Sequence, residues 1–135
     1  MKPFRFPDWQ LRLEAFAASR RHVPFRWGEN DCVLFAADAV EALTGVRHCQ
    51  ELRGHASARE AVAAMRRLGG VREIATLALG DAMSPLYAAV GDVVAVKMGK
   101  REALGICNGN SVIGPGPAGI LSVVMDQAVA AWKVG

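Results

Sequence analysis

The feature that most constrains this chain is a change of texture at Gly91. Before it, apolar residues recur at helical spacing; after it, they come in short runs separated by glycine, asparagine and proline. Helices gathered in the first half and strands in the second argue for an α+β domain, with an antiparallel sheet of about four to six strands on which the N-terminal helices pack. At 135 residues, just over half of them hydrophobic, the chain has the length and apolar content to bury one core. The expectation is therefore a single domain over residues 1–135, with residues 1–7 as an N-terminal arm.

The helical half divides at its own punctuation. Asp8 is placed to cap a first helix running to about Arg20, with Trp9, Leu13 and Phe16 as its apolar stripe. The stretch from His22 to Gly28 is expected to be extended, because Val23 precedes a proline. Asn30 or Asp31 then caps a second helix whose buried face is Phe35, Ala39, Val40 and Leu43, ended by Gly45 as a left-handed residue. Residues 46–56 read as a loop. Ser57 and Glu60 form a capping box for a third helix, stopped by Gly69-Gly70, and a weaker helical stretch covers residues 71–79.

Strands are expected from Gly91 to Lys97, Ala103 to Cys107, Ser111 to Ile113, Ile120 to Val124 and Ala130 to Val134. Gly99-Lys100 and Asn108-Gly109 supply tight turns, and Gly114 to Pro117 a third.

Several function classes fit poorly. No apolar run approaches the roughly 20 residues that cross a bilayer, so no membrane span is expected. Residues 1–7 have neither the apolar core nor the cleavage site of a signal segment, which points to folding in a cytoplasm. Cys32, Cys49 and Cys107 are odd in number and none pairs as CxxC, which argues against a disulfide framework or a zinc knuckle. His48, Cys49 and His55 lack a fourth ligand at suitable spacing, so no metal and no cofactor is expected. Net charge is +3 with the cations scattered; the doublets Arg20-Arg21 and Arg66-Arg67 fall at helix ends, where they suit the helix dipole. Nucleic-acid binding needs a continuous basic face, so it is not expected.

Chemistry concentrates at Trp27-Gly28-Glu29-Asn30-Asp31-Cys32. This run sets a thiol in the first turn of a helix, where free amides and the dipole favour thiolate. The alternative is a small buried hydrophobe. Asp31 either caps the helix or positions a substrate. Trp27 is either a packing anchor or a substrate platform. Cys107, on a strand, reads as core.

Trp27-Gly28-x-x-Asp31-Cys32, then Gly91-Asp92-Val93-Val94, then Leu104-Gly105-Ile106 before Asn108-Gly109-Asn110, resembles the NlpC-type papain-fold cysteine peptidases, and among them the small phage-tail-associated relatives. The resemblance covers roughly Phe25 to Val124. It implies a papain-like NlpC-type fold with Cys32 at the nucleophile position and Gly91-Asp92 as a structural strand opening. It also implies that the family's base histidine falls on Ala103 and its third polar residue near Gly114, so both partners are missing. Cysteine attack on an amide needs a base and then an acid for the leaving amine, and neither alanine nor glycine can serve. His22 precedes Cys32 by ten residues. His48 and His55 follow a helix of about 18 Å, so they return to its start only by a long excursion.

The resemblance thus implies two functions. One is a non-catalytic structural component of a bacteriophage or phage-like tail, at its distal tip, assembled in the bacterial host cytoplasm, with other tail proteins as partners and Phe4, Phe6 and Trp9 either docking on one or packing on their own domain. The other is a cysteine endopeptidase or amidase that uses Cys32 to cleave peptidoglycan stem peptides.

Overall fold

A computed structural model describes residues 4–135. Four helices precede five strands: α1 (Trp9–Arg20), α2 (Cys32–Thr44), α3 (Ala58–Arg67), α4 (Val71–Leu79), then β1 (Val93–Met98), β2 (Arg101–Cys107), β3 (Ser111–Gly116), β4 (Gly119–Val124) and β5 (Ala128–Trp132). The strands form one antiparallel sheet in the order β4-β3-β2-β1-β5. The α+β class and the segregation of helices from strands are as the sequence texture implies.

α2 is the hub, and its composition says why. Its residues Val33 to Ala37, with Ala39, Val40 and Leu43, are buried on nearly every side. Small alanines let α1 approach one flank while β2 and β3 lie against the other. Asp31 caps it: Oδ1 accepts from the Leu34 amide at 2.9 Å, and Gly45 closes it with φ of 80°. The core joins this helix to the sheet face carrying Val93, Ala95, Leu104, Ile106, Ile113 and Trp132. The opposite face holds a smaller cluster of Val94, Val96, Cys107, Val112 and Ala131, under Met83, Ala88 and Met125.

The N-terminal arm packs on its own domain. Phe6 donates its amide to the Leu43 carbonyl and lays its ring over Gly45; Trp9 is half-buried against the core. Arg5 reaches Asp92 at 3.0 Å, the Val90 carbonyl at 2.9 Å and the Val134 carbonyl at 2.6 Å. Buried Asp92 in turn accepts from the amides of Val134 and Ala89, both at 3.0 Å. Of the arm's aromatic residues, only Phe4 stands in solvent. Residues 1–3 of the expected arm lie outside the described residues.

Four local expectations need correction. Asp8 precedes α1 but makes no capping bond; its carboxylate pairs with Arg12 at 2.7 Å instead. In the capping box of α3, Ser57 accepts from the Glu60 amide, but the Glu60 carboxylate takes the Ala56 amide rather than that of Ser57. The segment Gly114 to Pro117 is not a turn: β3 continues through Gly116, and only Pro117-Ala118 turn. Pro115 is tolerated there because β3 has already parted from β2. The last strand lies two residues earlier than its pattern suggests: it starts at Ala128, pairs with β1 through a bulge at Ala95/Val96, and stops at Trp132.

Candidate functional site

The loop before α2 is built as a rigid mount. Arg26 and Asn30 bridge one another through their backbones, Gly28 turns the chain between them with φ of 76°, and its amide donates to Asp31 Oδ2 at 3.0 Å. Asp31 therefore fixes both the loop and the first turn of α2. Burial pushes its carboxyl pKa up, against the pull of the Leu34, Gly28 and Val33 amides and the Arg53 guanidinium. Its geometry is that of a cap, with the side chain fully buried. Beneath the loop, Arg20 holds the Asn30 side chain at 2.8 Å and Asp38 at 2.7 Å, and Arg53 meets Asp38 at 2.8 Å. This network was invisible in the sequence, where Arg20 reads as a solvated helix end.

Cys32 follows at the start of α2, and its sulfur faces a gap in the sheet. β2 and β3 pair only at Ile106–Ile113 and Cys107–Val112, whereas β3 and β4 pair along their whole length. Continuing the β2–β3 register would set Leu104 opposite Pro115, which has no amide to donate. The Leu104 amide is turned to Cys32 instead. A cavity of about 40 Å³ opens in this gap, lined among others by Cys32, Ala103, Gly105, Gly114 and Pro115. Gly105 is required there: an added Cβ would lie 2.6 Å from the Ile113 oxygen.

The structure thus brings together the nucleophile, base and third-residue positions that the resemblance assigns, as Cys32, Ala103 and Gly114. None of the three histidines lines this cavity. His55 does make the long excursion: Gly54 donates to the Gly28 carbonyl at 2.8 Å, and an added Cβ on Gly28 would collide with the His55 backbone oxygen. Its ring nonetheless bonds to the Glu51 carbonyl at 2.9 Å and lines a different groove with Trp27. His48 is half-buried beside Cys49, where desolvation lowers its pKa.

Desolvation works against the helix-start thiolate expected at Cys32. Burial pushes the thiol from an ordinary 9.0 up to about 11; the Asp31 carboxylate adds to this, and the amides of Leu104 and Val33 offset only part of it. Cys49 rises to about 11 for the same first reason, with Glu51 adding, and buried Cys107 rises as well. None of the residues lining the Cys32 cavity carries a basic side chain, and the shift favours the protonated thiol at Cys32. Such a group can pack and can accept a weak hydrogen bond, but it has no means of protonating a leaving amine.

Residues 4–134 match a family described as a domain of unknown function, DUF6950. The chain belongs to that family. The matched stretch includes both Arg5 and Val134, so the DUF6950 unit takes in the Asp92 clamp and the Cys32 cavity together. No curated protein matches this DUF6950 chain. Among its described residues, no group of three or more His, Cys, Asp or Glu side chains is placed to hold a metal ion, and no helix is long and apolar enough to cross a membrane.

Trp27 in this DUF6950 domain is a half-buried anchor, its ring edge-to-face with Phe25 at 4.8 Å and packed against the core. The Leu104 amide was not legible as a site group, because its freedom follows from a register that places a proline opposite it. In the sequence His55 reads only as a metal-ligand or base candidate and Ser57 only as a helix cap; their place beside Trp27 follows from a tertiary contact.

Proposed function

We propose that this chain is a non-catalytic, NlpC-like papain-fold domain that serves as a structural component of a bacteriophage or phage-like tail, at its distal tip. The observation that carries the loss of catalysis is the Cys32 cavity, where alanine and glycine stand at the positions a base and its orienting partner would hold. The raised thiol pKa supports the same reading, since a cysteine protonated at neutral pH is a poor nucleophile. A fold released from chemistry still offers its surface to neighbours. Leu86 and Tyr87 fit such a role: a short turn capped by Ser84 and tied to β5 through Met83 holds them out at 92% and 76% exposure. Large apolar side chains fixed in solvent are the anchors that protein interfaces use.

The partners in this reading are other tail proteins, and the tail assignment itself rests on the resemblance carried by Trp27-Gly28-x-x-Asp31-Cys32 and the strand motifs. The test has two arms. Purified tail particles are examined by mass spectrometry for this chain, and the isolated protein is assayed for release of stem peptides from peptidoglycan. The expected result is stoichiometric presence in particles and no release. Stem-peptide release that disappears in Cys32→Ser would overturn the non-catalytic reading in favour of a wall-cleaving cysteine hydrolase. Absence from all particles would overturn the tail assignment.

A further inference from the structure

An apolar groove of about 510 Å³ lies between α2, α4 and the chain that follows β5. α2 gives it Val40, α4 gives Leu79, the chain after β5 gives Val134, and exposed Phe4 stands at its edge. Most of its polar groups are already satisfied. Thr44 Oγ1 donates to the Val40 carbonyl at 2.7 Å and accepts from the Val46 amide at 3.2 Å. His48 is half-buried, and desolvation favours its neutral ring. Lys133 is the exception, exposed and paired with no opposite charge among the described residues. The groove therefore suits large apolar side chains with an anion beside them.

The same chain carries that combination next to the groove. Leu86 and Tyr87 stand in solvent on their short turn, as a knob. Asp81 precedes them, directly after the groove residue Gly80; it is exposed and likewise without an ion-pair partner among the described residues. The knob segment is tied at both ends to the segment that walls the groove. Met83 and Ala131 exchange backbone hydrogen bonds at 2.8 and 3.0 Å, and Arg5 joins the carbonyls of Val90 and Val134. Held in this way, the knob cannot turn into its own groove. A surface that sets a knob, a hole and both signs of charge side by side is self-complementary under a two-fold rotation.

We propose that two copies of this chain associate across a two-fold axis, each setting Leu86 and Tyr87 into the groove of the other. Asp81 of each copy then faces Lys133 of the partner subunit. The apolar side chains leave water together, and the two charge pairs fix the register. This names a partner for the Leu86–Tyr87 surface that the tail reading also uses. It is a property of the purified chain, so a monomer in solution and absence from tail particles are separate results.

Sedimentation velocity of the full chain, from about 1 μM to about 1 mM, covers the affinities such an interface can have. A reversible dimer is expected. Leu86→Asp alters both halves of the interface, and the dissociation constant should rise at least about a hundredfold. Leu86 is almost wholly exposed, so the substitution spares the fold, which an unmoved resonance of the Trp132 indole, bonded to Thr76, confirms. Lys133→Glu and Asp81→Lys each set like charges together twice, and either variant alone should dimerise about tenfold more weakly. Mixed in equal amounts, the two variants should recover the wild-type affinity as a heterodimer, because every charge at positions 81 and 133 then meets its opposite. A monomer throughout, a dimer that survives Leu86→Asp, or a mixture no more dimeric than its separate components overturns the proposal.

Discussion

At the scale of single residues, Cys32 shows how two features of one position compete. A helix start lowers a thiol pKa and burial raises it, and here burial wins, with the thiol near 11. Alkylation followed by peptide mass spectrometry should therefore find Cys32 slow at neutral pH, with no acceleration below the free-thiol range of about 8.5. The same shift has a consequence for stability. Between about 9 and about 11 the unfolded chain loses the Cys32 proton while the folded one keeps it, so folding stability falls as pH rises through that window. At its full extent the effect is on the order of 3 kcal/mol. Urea midpoints from about pH 8 to about pH 11 should decline less steeply in Cys32→Ala than in the wild type, with Cys49 supplying much of the slope that remains. Asp31 works in the acid range. Its raised carboxyl pKa means that burial opposes its charge, so its contribution is greatest at low pH and is partly lost as pH rises through the carboxylate range. Asp31→Ala removes the α2 cap and the Gly28 anchor together, and denaturant unfolding should show a loss of about 2–3 kcal/mol.

Among the elements, the sequence was most informative where a local signal decides the outcome. Asp31, Gly45, Ser57 and Gly70 mark helix boundaries through their own caps or backbone angles, so both ends of α2 and the starts of α3 and α4 fall where those residues stand. Asn108-Gly109 likewise sets the β2–β3 turn. It was least informative where partners distant in sequence decide. Nothing local to Pro115 says that β3 will leave β2 after two pairs, and nothing in residues 46–56 says that their far end returns to Gly28. The candidate site divides the same way: Cys32, Asp31 and Trp27 stand in a compact motif, while the Leu104 amide and His55 arrive by tertiary routes. Two glycines of that returning contact make a paired test. Gly28 and Gly54 both have φ near 80°, but a Cβ on Gly28 would strike the His55 backbone and one on Gly54 would meet nothing within 4 Å. Gly28→Ala should cost about 3 kcal/mol or more, and Gly54→Ala only the left-handed backbone penalty of about 1–2 kcal/mol. Thermal unfolding of the two variants side by side reads the difference.

For the whole molecule, the decisive contact is the one that gathers the arm, the start of β1 and the segment after β5 onto Asp92. Its carboxylate is 1% exposed and meets Arg5, Ala89 and Val134 at once. Asp92→Ala leaves a largely buried guanidinium and two amides without their acceptor, and a loss of about 3–5 kcal/mol in chemical denaturation is expected. Asp92→Asn, which keeps the shape and one acceptor, should recover part of it. The clamp also sets an order of events during synthesis. Arg5 is made early, but the Val134 carbonyl that it grips lies 129 positions later. A nascent chain can form α1 and α2 and still hold a loose arm and an open sheet edge until residue 134 has left the ribosome. The Arg5 end of the arm therefore waits for its last partner, although Phe6 needs only α2 to dock.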